Sequence, residues 1–223
     1  GDNDSKFKLI LEENVRPCFF SGNLHEESRI ITISLNPAYN PGITEKAQEG
    51  KNFEEWYTYC LNRFDIYQND KQIHSVFKNL FKVIAPEEEW EKLSKRKYLQ
   101  ENMVNLDWCY YYSENFPTIR TNELPEKFRR DIQNAFDKPL LKLIDYAKPR
   151  YIFVHGKTMN DWVLRNVNGL AEVLKVPNRN KKMSRLYEGK LTEKAIPVYY
   201  LEHFINYTNS NVAIKRINEY INQ

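Results

Sequence analysis

Four short apolar runs, separated by long stretches of helical periodicity, constrain this chain more than any other feature of it. Arg29-Ile30-Ile31-Thr32-Ile33 is β-branched, 103–109 begins Met103-Val104, Tyr151-Ile152-Phe153-Val154 is unbroken apolar sequence, and Pro197-Val198-Tyr199-Tyr200-Leu201 closes the set. The unbroken third run suits a central parallel strand covered on both faces, and the β-branched first run reads as a buried strand. Between them, Phe53, Trp56, Tyr57, Cys60, Leu61 and Phe64 recur at helical spacing, as do Ile73, Phe77, Leu80, Phe81 and Ile84. Pro86 before Glu87, Glu88 and Glu89 suits the first turn of another helix. Pro125 opens a longer one through Phe128, Ile132, Phe136, Leu140 and Ile144, with a kink or break expected at Pro139. Short helices are expected over 6–13 and after His155, a hairpin within 171–191, and a closing helix over 210–220. Strands that alternate with helical crossovers build a parallel sheet with helices on both faces. The expected fold is therefore one α/β domain over 1–223, a three-layer α/β/α sandwich around a four-stranded, mainly parallel sheet.

The global numbers fit that fold and exclude little else. At 41% hydrophobic and 28% charged residues, the composition is that of a globular protein. No apolar run approaches the ~20 residues of a membrane span, and no signal-peptide pattern opens the chain, so a cytoplasmic location is expected. Cys18, Cys60 and Cys109 are scattered and lack metal-ligand spacing, which reads as reduced thiols with no metal. A net charge of +3 argues only weakly for an anionic partner. Aromatic residues reach 14%, with 15 Tyr. Such a surplus serves either to line a cleft that stacks on flat ligands or to fill half-buried positions.

Chemistry is expected where the runs end. Ser34-Leu35-Asn36-Pro37-Ala38-Tyr39-Asn40-Pro41-Gly42 forces the chain out of the sheet, because proline has no N–H to donate and fixes its own φ. Polar side chains then stand at the carboxyl end of a strand, where open α/β sheets hold ligands. The other runs end on Asn105 or Asp107, on His155 with Gly156, and on Glu202-His203. No Walker loop, GxGxxG, HExxH or GxSxG occurs, which weakens nucleotide hydrolysis, dehydrogenase, zinc-protease and α/β-hydrolase readings. An Asn/His/aromatic set without an evident nucleophile remains. It suits the positioning of a water and the stabilisation of a leaving anion.

The order of these elements resembles the uracil-DNA glycosylase superfamily. Leu35-Asn36-Pro37-Ala38-Tyr39-Asn40-Pro41-Gly42 is similar to its first motif, Gly-Gln-Asp-Pro-Tyr-His-Gly-Pro-Gly or the shorter Gly-x-Asn-Pro form. Val104-Asn105-Leu106 resembles the strand whose Asn reads the uracil edge. Val154-His155-Gly156-Lys157 resembles the strand ending in Trp-Gly, and His203 falls where the His of the His-Pro-Ser-Pro motif stands. The resemblance implies hydrolysis of an N-glycosidic bond in uracil-containing or damaged DNA, as in base-excision repair, by a monomer without cofactor or metal. It implies catalytic roles for Asn36, which orients a water, and His203, which stabilises the departing base. Tyr39 and an aromatic of the following helix, Phe53 or Trp56, would stack on the base while Asn105 reads its edge. His155, Lys157, Asn206 and the basic residues Arg179, Lys181 and Lys182 would face nucleic acid.

Each residue also has a plainer reading. Asn36 fits a turn cap, Asn105 a satisfied buried amide, and His155 and His203 structural hydrogen-bonded rings. The 179–185 stretch fits a solvated hairpin tip. The last motif reads His203-Phe204-Ile205-Asn206, without Pro-Ser-Pro. The competing expectation is accordingly a catalytically inactive protein of the same fold that binds a nucleobase or nucleic acid.

Overall fold

The structure is a computed structural model that describes residues 16, 20–25, 29–35, 43–109, 126–177, 183–192, 194–203 and 211–223. The four apolar runs form parallel strands: β2 (Ile30–Ser34), β3 (Met103–Asp107), β4 (Tyr151–His155) and β7 (Pro197–Leu201). They sit at the centre of a seven-stranded sheet in the order β1-β3-β2-β4-β7-β6-β5. The sheet is thus wider than the four strands expected. β1 (Phe20–Ser21) lies antiparallel on β3, and the hairpin β5 (Val167–Pro177) and β6 (Met183–Leu191) continues the far edge antiparallel to β7.

Strand side chains alternate between faces, and they divide cleanly between two hydrophobic cores. Ile31, Ile33, Val104, Leu106, Ile152, Val154 and Val198 pack against one group of helices. That group is α2 (Phe53–Leu61) through Trp56 and Cys60, α5 (Glu126–Ala147) through Phe136, Leu140 and Ile144, and α6 (Asn160–Asn166) through Trp162. Ile30, Met103, Tyr151, Phe153 and Leu201 pack on the opposite face against α3 (Ser75–Ile84), α4 (Lys95–Asn102) and α7 (Asn211–Ile221). The chain is mixed α/β with helices covering both faces of the sheet. Among the described residues, no helix is long and apolar enough to cross a membrane.

Local chemistry explains where these helices begin. After a short α1 (Ile43–Gln48), α2 starts with a capping box. Asn52 Oδ1 accepts the Glu55 amide at 2.9 Å, and Glu55 Oε2 accepts the Asn52 amide at 2.7 Å. Glu87–Glu89 form only a 3-10 turn, and the α-helix that follows starts later, at Lys95. Its first amides, on Lys95 and Arg96, donate to the Asp70 carboxylate at 2.8 and 3.1 Å. Burial pushes the Asp70 pKa upward, but these amides and Ser94 outweigh it and hold the carboxyl below its usual range. Pro139, expected to kink or break its helix, lies inside α5, which runs on for 22 residues. The ring leaves the Ala135 carbonyl without its usual donor, yet Phe136, Leu140 and Ile144 anchor both sides of it to the sheet. The helix expected over 6–13 and the tyrosine-rich segment 110–115 lie outside the described residues.

Candidate functional site at the carboxyl edge

The face of β2 and β3 that meets α3, α4 and α7 is apolar at the amino end of the strands and polar toward the carboxyl end. Thr32 pairs in register with Asn105, and Ser34 with Asp107. Two cross-strand pairs therefore place four polar side chains in one row. Exposure grows along it, from Thr32 at 0%, through Asn105 at 5% and Asp107 at 8%, to a half-buried Ser34.

The hydrogen bonds in this row run in one direction. Thr32 Oγ1 donates to Asn105 Oδ1 at 2.9 Å, which fixes the carbonyl side of the amide toward the interior. Ser34 Oγ is 2.7 Å from Asp107 Oδ1 and 3.4 Å from Asn105 Oδ1, so its single proton goes to the carboxylate. Its oxygen can then accept from Asn105 Nδ2, at 3.4 Å. The chain Thr32 to Asn105 to Ser34 to Asp107 ends on the one group able to carry negative charge, and such chains polarise toward their terminus. Burial drives the Asp107 pKa up to about 6, while hydrogen bonds from Ser34 and Asn105 pull in the opposite direction. At neutral pH the carboxyl is mostly ionised. It stands close enough to its pKa to exchange a proton.

β4 adds His155 to the same face, two residues beyond Phe153, which pairs with Thr32. His155 is 1% exposed, and burial pushes its pKa down to about 4, so the imidazole is neutral at physiological pH. Gly156 ends the strand at φ +101°, a conformation that L side chains rarely adopt. Its N–H donates to the Leu201 carbonyl at 3.0 Å, tying the exit of β4 to β7. His203 follows β7 by two residues and is half-buried.

On the opposite face of the same edge, Leu35, Trp108, Thr158, Asp161, Trp162 and Arg165 line a small cleft. Asp137 braces it, accepting from Trp108 Nε1 at 2.6 Å and taking the Arg165 guanidinium on both oxygens. Among the described residues, no three metal-ligating side chains converge.

The structure brings Asn105 into a bonded set with Thr32, Ser34 and Asp107. His155 is placed on the neighbouring strand and inside the sheet–helix interface rather than at the surface. Lys157 is exposed in the 3-10 turn after β4, and Phe53, the first residue of α2, is 72% exposed. Asn36, Tyr39, Asn206, Arg179, Lys181 and Lys182 lie outside the described residues. Thr32 and Ser34 were not singled out from the sequence, although polar residues at alternate positions of an apolar run mark one face of a strand. Compared with protein-family models, with curated proteins and with solved structures, the chain matches none.

Proposed function

We propose that this protein is a uracil-DNA glycosylase-like hydrolase that cleaves the N-glycosidic bond of uracil or a related damaged base in DNA, with the fold of that superfamily. The observation that carries the reading is the Asn105 amide. It is buried at the carboxyl end of β3, and Thr32 holds its carbonyl so that the NH2 group is turned toward the carboxyl edge. A rigid amide in this position suits recognition of a nucleobase edge. The flanking strand β2 leads into Asn36-Pro37, and β7 leads into His203.

A base in duplex DNA must leave its stack to reach such a site, at a cost of a few kcal/mol. Tyr39 and Phe53 are the aromatics assigned to stack on it. Asn36 orients a water toward C1′ of the sugar, and His203 stabilises the negative charge that develops on the departing base. An amide is a weak base, so the route needs a sugar already rich in oxocarbenium character when water attacks. Lys157 and the basic 179–185 stretch supply charge for the phosphate backbone.

The test is incubation with labelled oligonucleotides carrying one uracil, in single-stranded, U:A and U:G contexts, followed by alkali to cut abasic sites. Cleavage that falls roughly a hundredfold or more in Asn36→Ala and in His203→Ala is expected. Cleavage that neither substitution changes overturns the assignment of these residues. The departure of His203-Phe204-Ile205-Asn206 from His-Pro-Ser-Pro favours a second reading, base binding without turnover. Salt-sensitive DNA binding with no cleavage in any context would select it.

A further inference from the structure

Every side-chain donor of the β2–β3 row is already in use. Both Nδ2 hydrogens of Asn105 are taken, one by Ser34 Oγ at 3.4 Å and one by the Asp107 carboxylate. Thr32 and Ser34 give their hydroxyl protons to Asn105 Oδ1 and Asp107 Oδ1, at 2.9 and 2.7 Å. What the row can still do is accept. A hydroxyl oxygen has two lone pairs, and the Asn105 amide occupies one of those on Ser34. Ser34 is also the half-buried end of the row, whereas Asn105 and Asp107 are only 5% and 8% exposed. An O–H group arriving from the carboxyl edge therefore meets an oxygen with a lone pair to offer, whose own proton already points at a carboxylate 2.7 Å away. Such a chain is polarised toward its charged terminus, which makes the outer oxygen the more basic.

We infer that Ser34 and Asp107 form the proton exit for the attacking water: Ser34 Oγ takes a proton from the water as its own passes to Asp107 Oδ1. This rests on the reading that the chain hydrolyses an N-glycosidic bond, and it supplies what that reading leaves open. The Asn36 amide can orient a water, but it is too weak a base to take its proton. The step balances. The water oxygen bonds to C1′ and the C1′–N bond breaks, with its electron pair leaving on the base. One water proton moves to Ser34 and the Ser34 proton moves to Asp107, so the carboxylate becomes neutral and the negative charge resides on the departed base. A sugar rich in oxocarbenium character makes the water acidic as it bonds to C1′, so a hydroxyl backed by a carboxylate is base enough. Ser34 is the catalytic residue of the pair because it touches the water. Asp107 acts through it.

The test is steady-state cleavage of the uracil oligonucleotides as a function of pH, for the parent chain and for folded Ser34→Ala, Ser34→Thr and Asp107→Asn. Ser34→Ala and Asp107→Asn should lower kcat about a hundredfold with KM nearly unchanged, whereas Ser34→Thr, which keeps the hydroxyl, should stay within about threefold of the parent. The parent rate should rise through about pH 6, where the carboxyl ionises, and Asp107→Asn should lose this rise. His155 and His203, the histidines at this end of the sheet, remain in both proteins, so a limb that disappears with Asp107 belongs to it. A merely structural role moves neither the pH profile nor the gap between Ala and Thr at position 34. Parent-like rates in Ser34→Ala or in Asp107→Asn, or a pH profile that Asp107→Asn leaves in place, overturn the inference and leave the glycosylase reading standing. A parent that cleaves in no context removes that reading, and the proton exit with it.

Discussion

The ends of β3 and β4 each bury a titratable side chain on the same face of the sheet, and the same burial acts on them in opposite directions. Asp107 is pushed up to about 6 and His155 down to about 4. Removal from water penalises whichever form is charged, so an acid rises and a base falls. Hydrogen bonds from Ser34 and Asn105 act against burial at Asp107 and favour its ionised form, and burial is what lowers the His155 pKa. At neutral pH one strand end therefore holds a negative charge and the other none. β2 lies between them, so charge and neutral ring are separated by two strand spacings, roughly 10 Å.

The largest expected effect breaks this symmetry by pH. Between about pH 4 and 6 the folded protein holds a proton on Asp107 that the unfolded chain, near the ordinary carboxyl value of 3.8, has released. Its contribution to stability therefore falls as pH rises. Over about pH 4 to 6.5 the unfolded chain protonates its histidine while folded His155 stays neutral, so that contribution rises with pH. Each amounts to about 3 kcal/mol at 1.36 kcal/mol per pKa unit, and the two nearly cancel. Denaturant unfolding across this window should show that, relative to the parent, Asp107→Asn gains a stability that climbs with pH. His155→Gln should gain one that declines. Parallel pH profiles for all three proteins would mean that the two groups do not oppose each other.

A smaller effect is expected from the hydroxyl that fixes the amide. Thr32→Val keeps the shape of the side chain and leaves the buried Asn105 Oδ1 without its 2.9 Å donor. The cost is about 1–3 kcal/mol at any pH between 4 and 8. Combining it with Asn105→Leu removes both partners, and the double variant should lose clearly less than the two single losses added together. Additive losses would show that the two side chains are not coupled in solution.

Most of the central sheet was legible because its signals are local. Short apolar or β-branched runs report strands, and helical spacing reports the crossovers, so β2, β3, β4 and β7 stand where the sequence puts them. The margins were less legible. β1 is two residues long, and β5 shows an irregular burial pattern with two register shifts against β6. α4 carries no usable start signal, because Ser94 makes no side-chain cap and the helix is capped by Asp70 instead. At Pro139 the local rule allowed a break, and the helix instead runs through it, with packing that holds both halves in place. The same limit governs the site. Asn105 and His155 announce themselves as polar ends of apolar runs. The relay from Thr32 to Asp107 depends on the register between β2 and β3, two strands far apart in the chain.

The finest expected effect tests whether the relay ends on a charge. Ser34→Ala removes the 2.7 Å donor to Asp107 Oδ1 and leaves the carboxyl otherwise in place. A hydrogen bond to an ionised acceptor is worth more than one to a neutral acceptor. The loss should therefore be about 1 kcal/mol above pH 6.5, where the carboxylate is ionised, and smaller at pH 4, where it is protonated. In linkage terms, removing a donor that favours the ionised form raises the folded pKa of Asp107 further. The pH range over which stability falls then extends upward in the variant. Denaturation midpoints of Ser34→Ala and its parent at pH 4 and at pH 7.5 read this difference directly. An equal cost at both values would mean that Ser34 spends its proton elsewhere, which would leave Asn105 as the side chain that favours the ionised form of Asp107.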